Sequence, residues 1–237
     1  TRNALSEAVI TAGIEALGTA ESDDEIRAIV LRGAGAHFCA GGNLQGLMAR
    51  RQAGVAAQAR MLELLHQWIE ALRACPKPVI AAVEGAAAGA GFSLALACDL
   101  IVATDAARFL LSHAKLGLTP DAGATWHLVR ALPRAAVQQM VWLAEPVDAA
   151  RLQAWGVVQA VCPGGQALAE ALRLADRLAA MAPNAVAGAK ELVNAAAVND
   201  LAAQLAAERD QFLLSLFHAN GGEGLAAFVG KRAPRFE

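Results

Sequence analysis

The sequence has little charge and no clustered basic residues. Charged side chains make up 18% of its 237 residues, and the formal net charge is -2. Basic pairs such as Arg50-Arg51 are too short to form a polybasic patch. This pattern gives no electrostatic basis for a nucleic-acid partner or for an anionic membrane surface, so we expect neither.

The sequence also lacks paired cysteines, a signal-peptide pattern and a long apolar run. Its four cysteines are far apart without CxxC spacing, and its histidines are dispersed, so no metal site is expected and the thiols are predicted to be reduced. The start, TRNALSEAV, lacks the basic and apolar blocks of a signal peptide. The longest uncharged apolar run, residues 85–98, is too short to span a bilayer. These absences predict a soluble, cytoplasmic protein.

Two common catalytic motifs are missing as well. There is no GxxxxGK[ST] loop for nucleotide phosphates and no GxSxG turn for a nucleophilic serine. The stretch GAAAGAGF only loosely resembles a dinucleotide-binding fingerprint, because no suitably placed acidic residue follows it. Nucleotide-dependent and serine-hydrolase chemistry are therefore not indicated.

The segments that are present alternate between strands and helices, which is typical of an α/β domain. Apolar content of 56% indicates a well-buried globular chain. The patterns predict strands at 25–33, 79–85 and 99–104, helices at 61–78 and 88–98, and no strand signal after about residue 145. We predict an α/β core over 1–180 and a C-terminal helical region over 181–237.

Two turns rich in glycine and alanine, at 40–43 and 88–91, each lead from a strand into a helix. A helix N-terminus has free backbone N–H groups and the positive end of the helix dipole, which suit an oxygen that gains negative charge. The two turns are therefore candidates for the two donors of an oxyanion hole. The alternative is that the small residues only allow tight packing of helix on sheet.

A single acidic residue, Asp121, lies in the stretch KLGLTPDAGATWHL. Aspartate just before a predicted helix is a good N-cap, because its side chain can accept a hydrogen bond from the first turn. The same carboxylate among apolar neighbours can serve as an acid–base group. The spacing alone leaves both roles open.

Longer stretches identify a family. Five stretches closely resemble, in this order, the crotonase (enoyl-CoA hydratase/isomerase) superfamily. They are HFCAGGNLQGL, KPVIAAVEGAAAGAGFSLALACDLIVATDAARF, KLGLTPDAGATWHLVRAL, LQAWGVVQAV and GLAAFVGKRAPRF. The resemblance implies an α/β crotonase (ClpP-like) spiral of ββα units with a C-terminal helical trimerisation region. It also implies an acyl-CoA thioester substrate, coenzyme A as part of that substrate, no other cofactor, and assembly as a trimer or a dimer of trimers. The first hairpin of the family is expected to be missing before RNAL.

The resemblance assigns roles residue by residue. The backbone N–H groups of Gly42 and Ala90 match the oxyanion hole that grips the thioester oxygen and stabilises the enolate. The residues that match positions holding coenzyme A are Ala40, Asn43 and Leu44 in the first turn, and Phe228 and Lys231 near the C-terminus, which in the family often act across a subunit boundary.

The departures from the hydratase pattern favour a different reaction. Ser93 and His113 stand where hydratases have their two glutamates, and a serine hydroxyl cannot replace a carboxylate base. His113 is either a base or a packed, hydrogen-bonded histidine. The stretch around Asp121 most resembles the enoyl-CoA isomerases and the ring-1,2-epoxyphenylacetyl-CoA isomerase, in which the matching aspartate moves a proton. We therefore predict an isomerase with Asp121 as its acid–base group.

Three alternatives remain open on the same scaffold. Hydration could use His113. His66 and Asp121 also match the catalytic pair of 4-chlorobenzoyl-CoA dehalogenase, in which the aspartate is a nucleophile. Finally, the chain could be a catalytically silent acyl-CoA-binding subunit.

Overall fold

The computed structural model describes residues 2–237 as seven strands and eleven α-helices. The strands are β1 (Ile29–Arg32), β2 (Val79–Val83), β3 (Ala86–Ala88), β4 (Leu100–Thr104), β5 (Arg108–Leu110), β6 (Val147–Asp148) and β7 (Ala160–Cys162). The helices are α1 (Glu7–Ser22), α2 (Leu44–Ala53), α3 (Val55–Ala74), α4 (Ala90–Ala97), α5 (Ala124–Ala131), α6 (Arg134–Leu143), α7 (Ala149–Ala154), α8 (Ala167–Ala179), α9 (Pro183–Ala196), α10 (Leu201–Leu216) and α11 (Ala219–Val229). A 3-10 helix covers Ser112–Leu116.

Two sheets lie at the centre of the fold. The larger one is parallel and four-stranded, in the order β1-β2-β4-β7. The smaller one has the order β3-β5-β6, with β3 and β5 parallel and β5 and β6 antiparallel. All five residues of β2 (VIAAV) are buried, as expected of an apolar, β-branched strand in the middle of a parallel sheet.

The chain repeats a strand–strand–helix unit. β2 joins the larger sheet, β3 then joins the smaller one, and α4 follows. β4 and β5 repeat this step before the 3-10 helix and α5. The stretch after β1 follows the same course through a bridge between Cys39 and Ala87 and continues into α2. Because each unit passes from one sheet to the other, the turns that precede the helices lie close together.

Most predicted elements are present, with different bounds. The strand predicted at 25–33 is only Ile29–Arg32, and the helix predicted at 88–98 is Ala90–Ala97, preceded by the short β3. The expectation of no strands after residue 145 was wrong, since β6 and β7 follow it. Each of these strands has three residues or fewer, which is too short to show an alternation of apolar and polar side chains. Each forms because it pairs with the edge of a neighbouring strand.

The C-terminal helices differ in how much they bury. The face of α8 formed by Ala167, Ala171 and Ala175 packs on the larger sheet against Ile80 and Val102. By contrast, no residue of α10 is buried. Within residues 2–237, no helix is both long enough and apolar enough to cross a membrane.

Candidate active site

A cavity of about 470 Å³ lies where the repeated units bring their turns together. Its wall comes from the loop before α2, from α2 and α3, from the turn before α4, and from the segment between β5 and α5. The predicted site residues that line it are Ala40, Gly42, Leu44, Ala90, His113 and Asp121. Residues 40–44 and 113–121 are far apart in the chain, so the fold has gathered them.

The two glycine-rich turns are in direct contact. Gly41 has φ +88°, and a Cβ on it would lie 2.6 Å from the Ala88 carbonyl oxygen and 3.4 Å from the Ala90 nitrogen. Only glycine allows this backbone conformation and this close approach. The turns predicted to form one site therefore do lie side by side.

The amides of Gly42 and Ala90 are free to bind a ligand. Ala90 is the first residue of α4, where an N–H group has no partner inside the helix. Neither amide donates to another backbone group within residues 2–237. Because Gly42 and Ala90 both line the cavity, their N–H groups can serve an oxygen bound there, and the dipole of α4 favours negative charge at this end.

The Asp121 side chain does not cap α5. That helix begins at Ala124, and its N-cap is Gly123, with no hydrogen bond from a side chain. Ala122 and Gly123 both have positive φ, 50° and 78°, which separates Asp121 from the helical turn. The N-cap alternative is therefore wrong, because the tertiary structure turns the carboxylate toward the cavity instead.

His113 lies beside Asp121. Its Nε2 atom is 3.4 Å from Asp121 Oδ1, and it is 3.7 Å from where a Cβ on Gly89 would be. The histidine is buried, with 9% of its surface exposed. It is thus a packed histidine that contacts the carboxylate and lies next to the turn carrying the Ala90 amide.

Ser93 is buried in α4 and does not line the cavity. Its hydroxyl donates to the backbone oxygen of Asp121 at 3.0 Å and approaches the Gly89 oxygen at 3.4 Å. The serine therefore links the helix that carries Ala90 to the segment that carries Asp121.

The first turn holds its remaining residues in different ways. The Asn43 side chain accepts a hydrogen bond from the Gly46 N–H at 3.1 Å and so caps α2. It does not line the cavity, whereas Leu44 lies exposed at the cavity mouth. Ala40 donates its N–H to the Arg2 oxygen at 3.0 Å, which ties the turn to the start of the chain.

Three predicted residues lie away from the cavity within this chain. His66 is half-buried on α3 but does not line the cavity. Phe228, on α11, is 85% exposed, and Lys231 just beyond it is also exposed. No lining residue comes from beyond Asp121, so the roles of Phe228 and Lys231 in holding coenzyme A stay predictions.

Several lining residues were not predicted from the sequence. Met61, Leu62 and Leu65 form an apolar wall from α3, and their spacing on one helix face was a signal for it. Arg50 and Lys115 bring positive charge, and Arg50 Nε donates to Gln58 Oε1 at 2.7 Å. A cavity with an apolar wall and cations suits an apolar group attached to an anionic carrier.

The nearest thiol is unsuited to nucleophilic chemistry. Cys39 is buried beneath Gly41, whose N–H lies 3.4 Å from its sulfur. Burial raises the pKa of the Cys39 thiol, and the Gly41 hydrogen bond opposes this only in part. The thiol therefore stays protonated near neutral pH.

Fold and site together define an α/β protein in which two free backbone amides and one carboxylate line the same cavity. Such a site suits the formation of an enolate, because the amides hold the oxygen while the carboxylate takes a proton from the adjacent carbon.

Comparisons with known proteins identify the family. The family model described as enoyl-CoA hydratase/isomerase matches residues 1–237. The 1,2-epoxyphenylacetyl-CoA isomerase of Escherichia coli (strain K12) is 36% identical over 94% of this chain and 85% of its own length. The 2,3-dehydroadipyl-CoA hydratase of the same organism is 36% identical over 100% of this chain and 91% of its own length.

Solved structures agree. An enoyl-CoA hydratase from Polaromonas sp. JS666 is 55% identical, with a TM-score of 0.98, 100% of this chain covered and 92% of that chain covered. The chain belongs to the enoyl-CoA hydratase/isomerase family and is an acyl-CoA-processing enzyme. The predicted crotonase fold is confirmed.

Proposed function

We propose that this enzyme shifts a carbon–carbon double bond in an acyl-CoA, with Asp121 as the acid–base group. One observation carries the proposal: among residues 2–237, Asp121 is the only carboxylate that lines the cavity. Moving a double bond needs one such group, because the proton taken from one carbon can be returned to another. Hydration as the family performs it uses two.

In the proposed mechanism, the thioester oxygen accepts hydrogen bonds from the Gly42 and Ala90 amides. The Asp121 carboxylate removes a proton from the α-carbon of a 3-enoyl-CoA, so that the C–H electron pair enters the conjugated enolate. The amides stabilise the negative charge on oxygen. The protonated Asp121 then returns the proton to the γ-carbon, which leaves the conjugated 2-enoyl-CoA. Coenzyme A takes part only as the carrier of the acyl group.

The test is proton exchange in heavy water, followed by NMR, with a 3-enoyl-CoA and a 2-enoyl-CoA as substrates. We expect migration of the double bond, with deuterium entering the reacting carbons whenever the proton on Asp121 exchanges with the solvent before it is returned. Asp121→Asn should slow both by about 10²–10⁴-fold. Glu70→Gln, the same change at an exposed position of α3 that does not line the cavity, is the matched control and should change neither.

Hydration is the second candidate, since His113 lies 3.4 Å from Asp121 and gives the site a second titratable group. Addition of water to the 2-enoyl-CoA without migration would favour it and contradict the isomerase proposal. Absence of any reaction, with tight binding of the thioester, would instead indicate a binding subunit. A dehalogenase mechanism has less support, because His66 does not line the cavity.

We further propose that the 181–237 region joins subunits into a trimer or a dimer of trimers. Helices α10 and α11 and the turn between them expose large apolar side chains whose burial would be favourable, among them Leu201, Phe212, Leu214, Phe217, Leu225 and Phe228. In such an assembly, Phe228 and Lys231 would reach the cavity of a neighbouring subunit. Light scattering after size-exclusion chromatography measures the mass, and Phe217→Asp should lower it if the proposal holds.

A further inference from the structure

The two oxygens of the Asp121 carboxylate have different surroundings. Oδ1 is buried and has no hydrogen-bond partner within residues 2–237, while the side chain as a whole is 32% exposed and lines the cavity. The exposed end of the carboxylate is therefore Oδ2. If the carboxylate moves a proton to or from a substrate in the cavity, Oδ2 is the oxygen that does so.

The imidazole of His113 is the group that faces Oδ1. Its Nε2 is 3.4 Å from Oδ1, which is close enough for contact but long for a full hydrogen bond. A lone pair on Nε2 would be repelled by the carboxylate oxygen, so we assign the ring hydrogen to Nε2. His113 is thus placed to donate to Oδ1.

The backbone of Asp121 is held independently. The hydroxyl of Ser93, a fully buried residue, donates to the Asp121 carbonyl oxygen at 3.0 Å. Ser93 lies three residues after Ala90 on α4, so one short helix carries both this contact and an oxyanion-hole amide. This serine therefore links the segment of the proposed base to the helix that carries a proposed oxyanion-hole amide.

We propose that Ser93 and His113 are positioning residues for Asp121. Ser93 fixes the main chain of Asp121 relative to the Ala90 amide, and His113 holds Oδ1 so that Oδ2 points to the substrate. By resemblance, these are the two positions at which hydratases carry glutamates. In this chain they serve the one remaining carboxylate instead of acting on the substrate. The inference rests on the proposed role of Asp121.

The first test compares His113→Gln with His113→Leu in steady-state isomerisation. The glutamine amide can still donate to Oδ1, whereas leucine fills the space without a donor. We expect His113→Leu to lower kcat about 100-fold, as a misplaced catalytic group does, with KM within about threefold of the wild-type value. His113→Gln should recover most of the loss.

The second test uses Ser93→Ala, which removes only a hydroxyl and keeps the buried volume close to the original. We expect kcat to fall about tenfold and KM to stay unchanged. In the Ser93→Ala, His113→Leu double variant, the loss should be smaller than the product of the single losses, because both act on the same carboxylate. Thermal melting of each variant establishes that it is folded, and Ser93→Ala alone still tests the proposal if His113→Leu does not fold.

The outcomes separate this inference from the proposed function. If Asp121→Asn exchanges substrate protons as fast as the wild type, the proposed function fails, and the positioning role fails with it. If Asp121→Asn is inactive but Ser93→Ala and His113→Leu have normal kcat, only the positioning role is overturned. If His113→Gln is as slow as His113→Leu, the imidazole itself transfers a proton, and the role assigned to His113 is wrong.

Discussion

Asp99 and Asp121 lie near the same helix, α4, yet the fold treats their carboxylates differently. Their side chains are similarly exposed, 27% for Asp99 and 32% for Asp121. Asp99 Oδ2 accepts hydrogen bonds from the Val79 N–H and from Lys190 Nζ, both at 2.8 Å. Asp121 Oδ1 has no hydrogen-bond partner within residues 2–237.

Burial therefore does not distinguish the two aspartates, but their partners do. The Asp99 carboxylate is neutralised by Lys190, which also donates to the backbone oxygens of Leu72 and Lys77 and so ties α9 to the core. A buried polar atom without a partner is unusual in a folded protein and calls for a physical reason. The comparison indicates that Asp99 serves the fold, and it supports the proposed role of Asp121 in the reaction.

Exchanging each carboxylate for an amide should separate the two roles most strongly. Asp121→Asn should lower the isomerisation rate by about 10²–10⁴-fold, the usual worth of a general acid–base group, without lowering the free energy of unfolding. Asp99→Asn should do the reverse and cost roughly 1–3 kcal/mol of stability, because Lys190 loses its charged partner. Urea unfolding and steady-state kinetics on both variants make the comparison. If folded Asp99→Asn lost as much activity as Asp121→Asn, the proposed division of roles between the two aspartates would be wrong.

Removal of one oxyanion-hole donor should have the next largest effect. Proline is tolerated at the first position of a helix, so Ala90→Pro deletes the amide hydrogen at a place where the helix does not need it. We expect kcat to fall about 10²–10³-fold. Ala90→Gly, which keeps the N–H, is the control, and circular dichroism monitors the fold. Equal rates in the two variants would show that the Ala90 amide is not a donor.

The structural aspartate can be tested through its partner. Lys190→Met leaves the Asp99 carboxylate partly buried without its cation, and should lower the free energy of unfolding by about 2–4 kcal/mol at pH 7. Burial already raises the pKa of Asp99 above its usual value, although Lys190 opposes this. The loss should therefore shrink at low pH, where Asp99 takes up a proton. A double variant that adds Asp99→Asn should regain part of the stability, and a further loss would contradict the ion-pair interpretation.

The smallest effect concerns His127, another titratable group outside the cavity. Burial lowers the pKa of His127 to about 4, and the charges of Arg73 and Arg130 contribute. The unfolded chain, with a histidine pKa of about 6.5, binds a proton between pH 6.5 and 4 that the folded protein does not bind. Stability is therefore lost as the pH falls through this window, by at most about 2 kcal/mol because the ring is partly exposed.

His127→Gln should remove this part of the acid sensitivity. Urea unfolding of the wild type and of the variant, each at pH 7 and at pH 4.5, measures the contribution of His127 to the loss of stability. All other groups titrate in both proteins, so their contributions cancel in the comparison. An equal loss of stability in the two proteins would show that His127 is not buried in its neutral form.

Local chain properties account for the parts of the fold and site that were predictable. The apolar, β-branched stretches that form β2 and β4 have a strong local preference for buried strands, and glycine with positive φ is a property of the turns themselves. These signals predicted the α/β core and made the two turns candidates for an oxyanion hole. The resemblance to the family named the Gly42 and Ala90 amides and favoured a catalytic role for Asp121.

Only the tertiary structure decided how the carboxylate is held. Ser93 and Asp121 are 28 positions apart, and the hydrogen bond between them exists because α4 and the segment before α5 pack together. Whether Asp121 is a helix cap or a cavity residue depended on the positive φ values of Ala122 and Gly123, which the sequence pattern did not predict. The edge strand β7 likewise exists only because β4 pairs with it. The local sequence determines which secondary structure a segment prefers. Contacts between distant segments determine which of its polar atoms have hydrogen-bond partners and which remain available to a ligand.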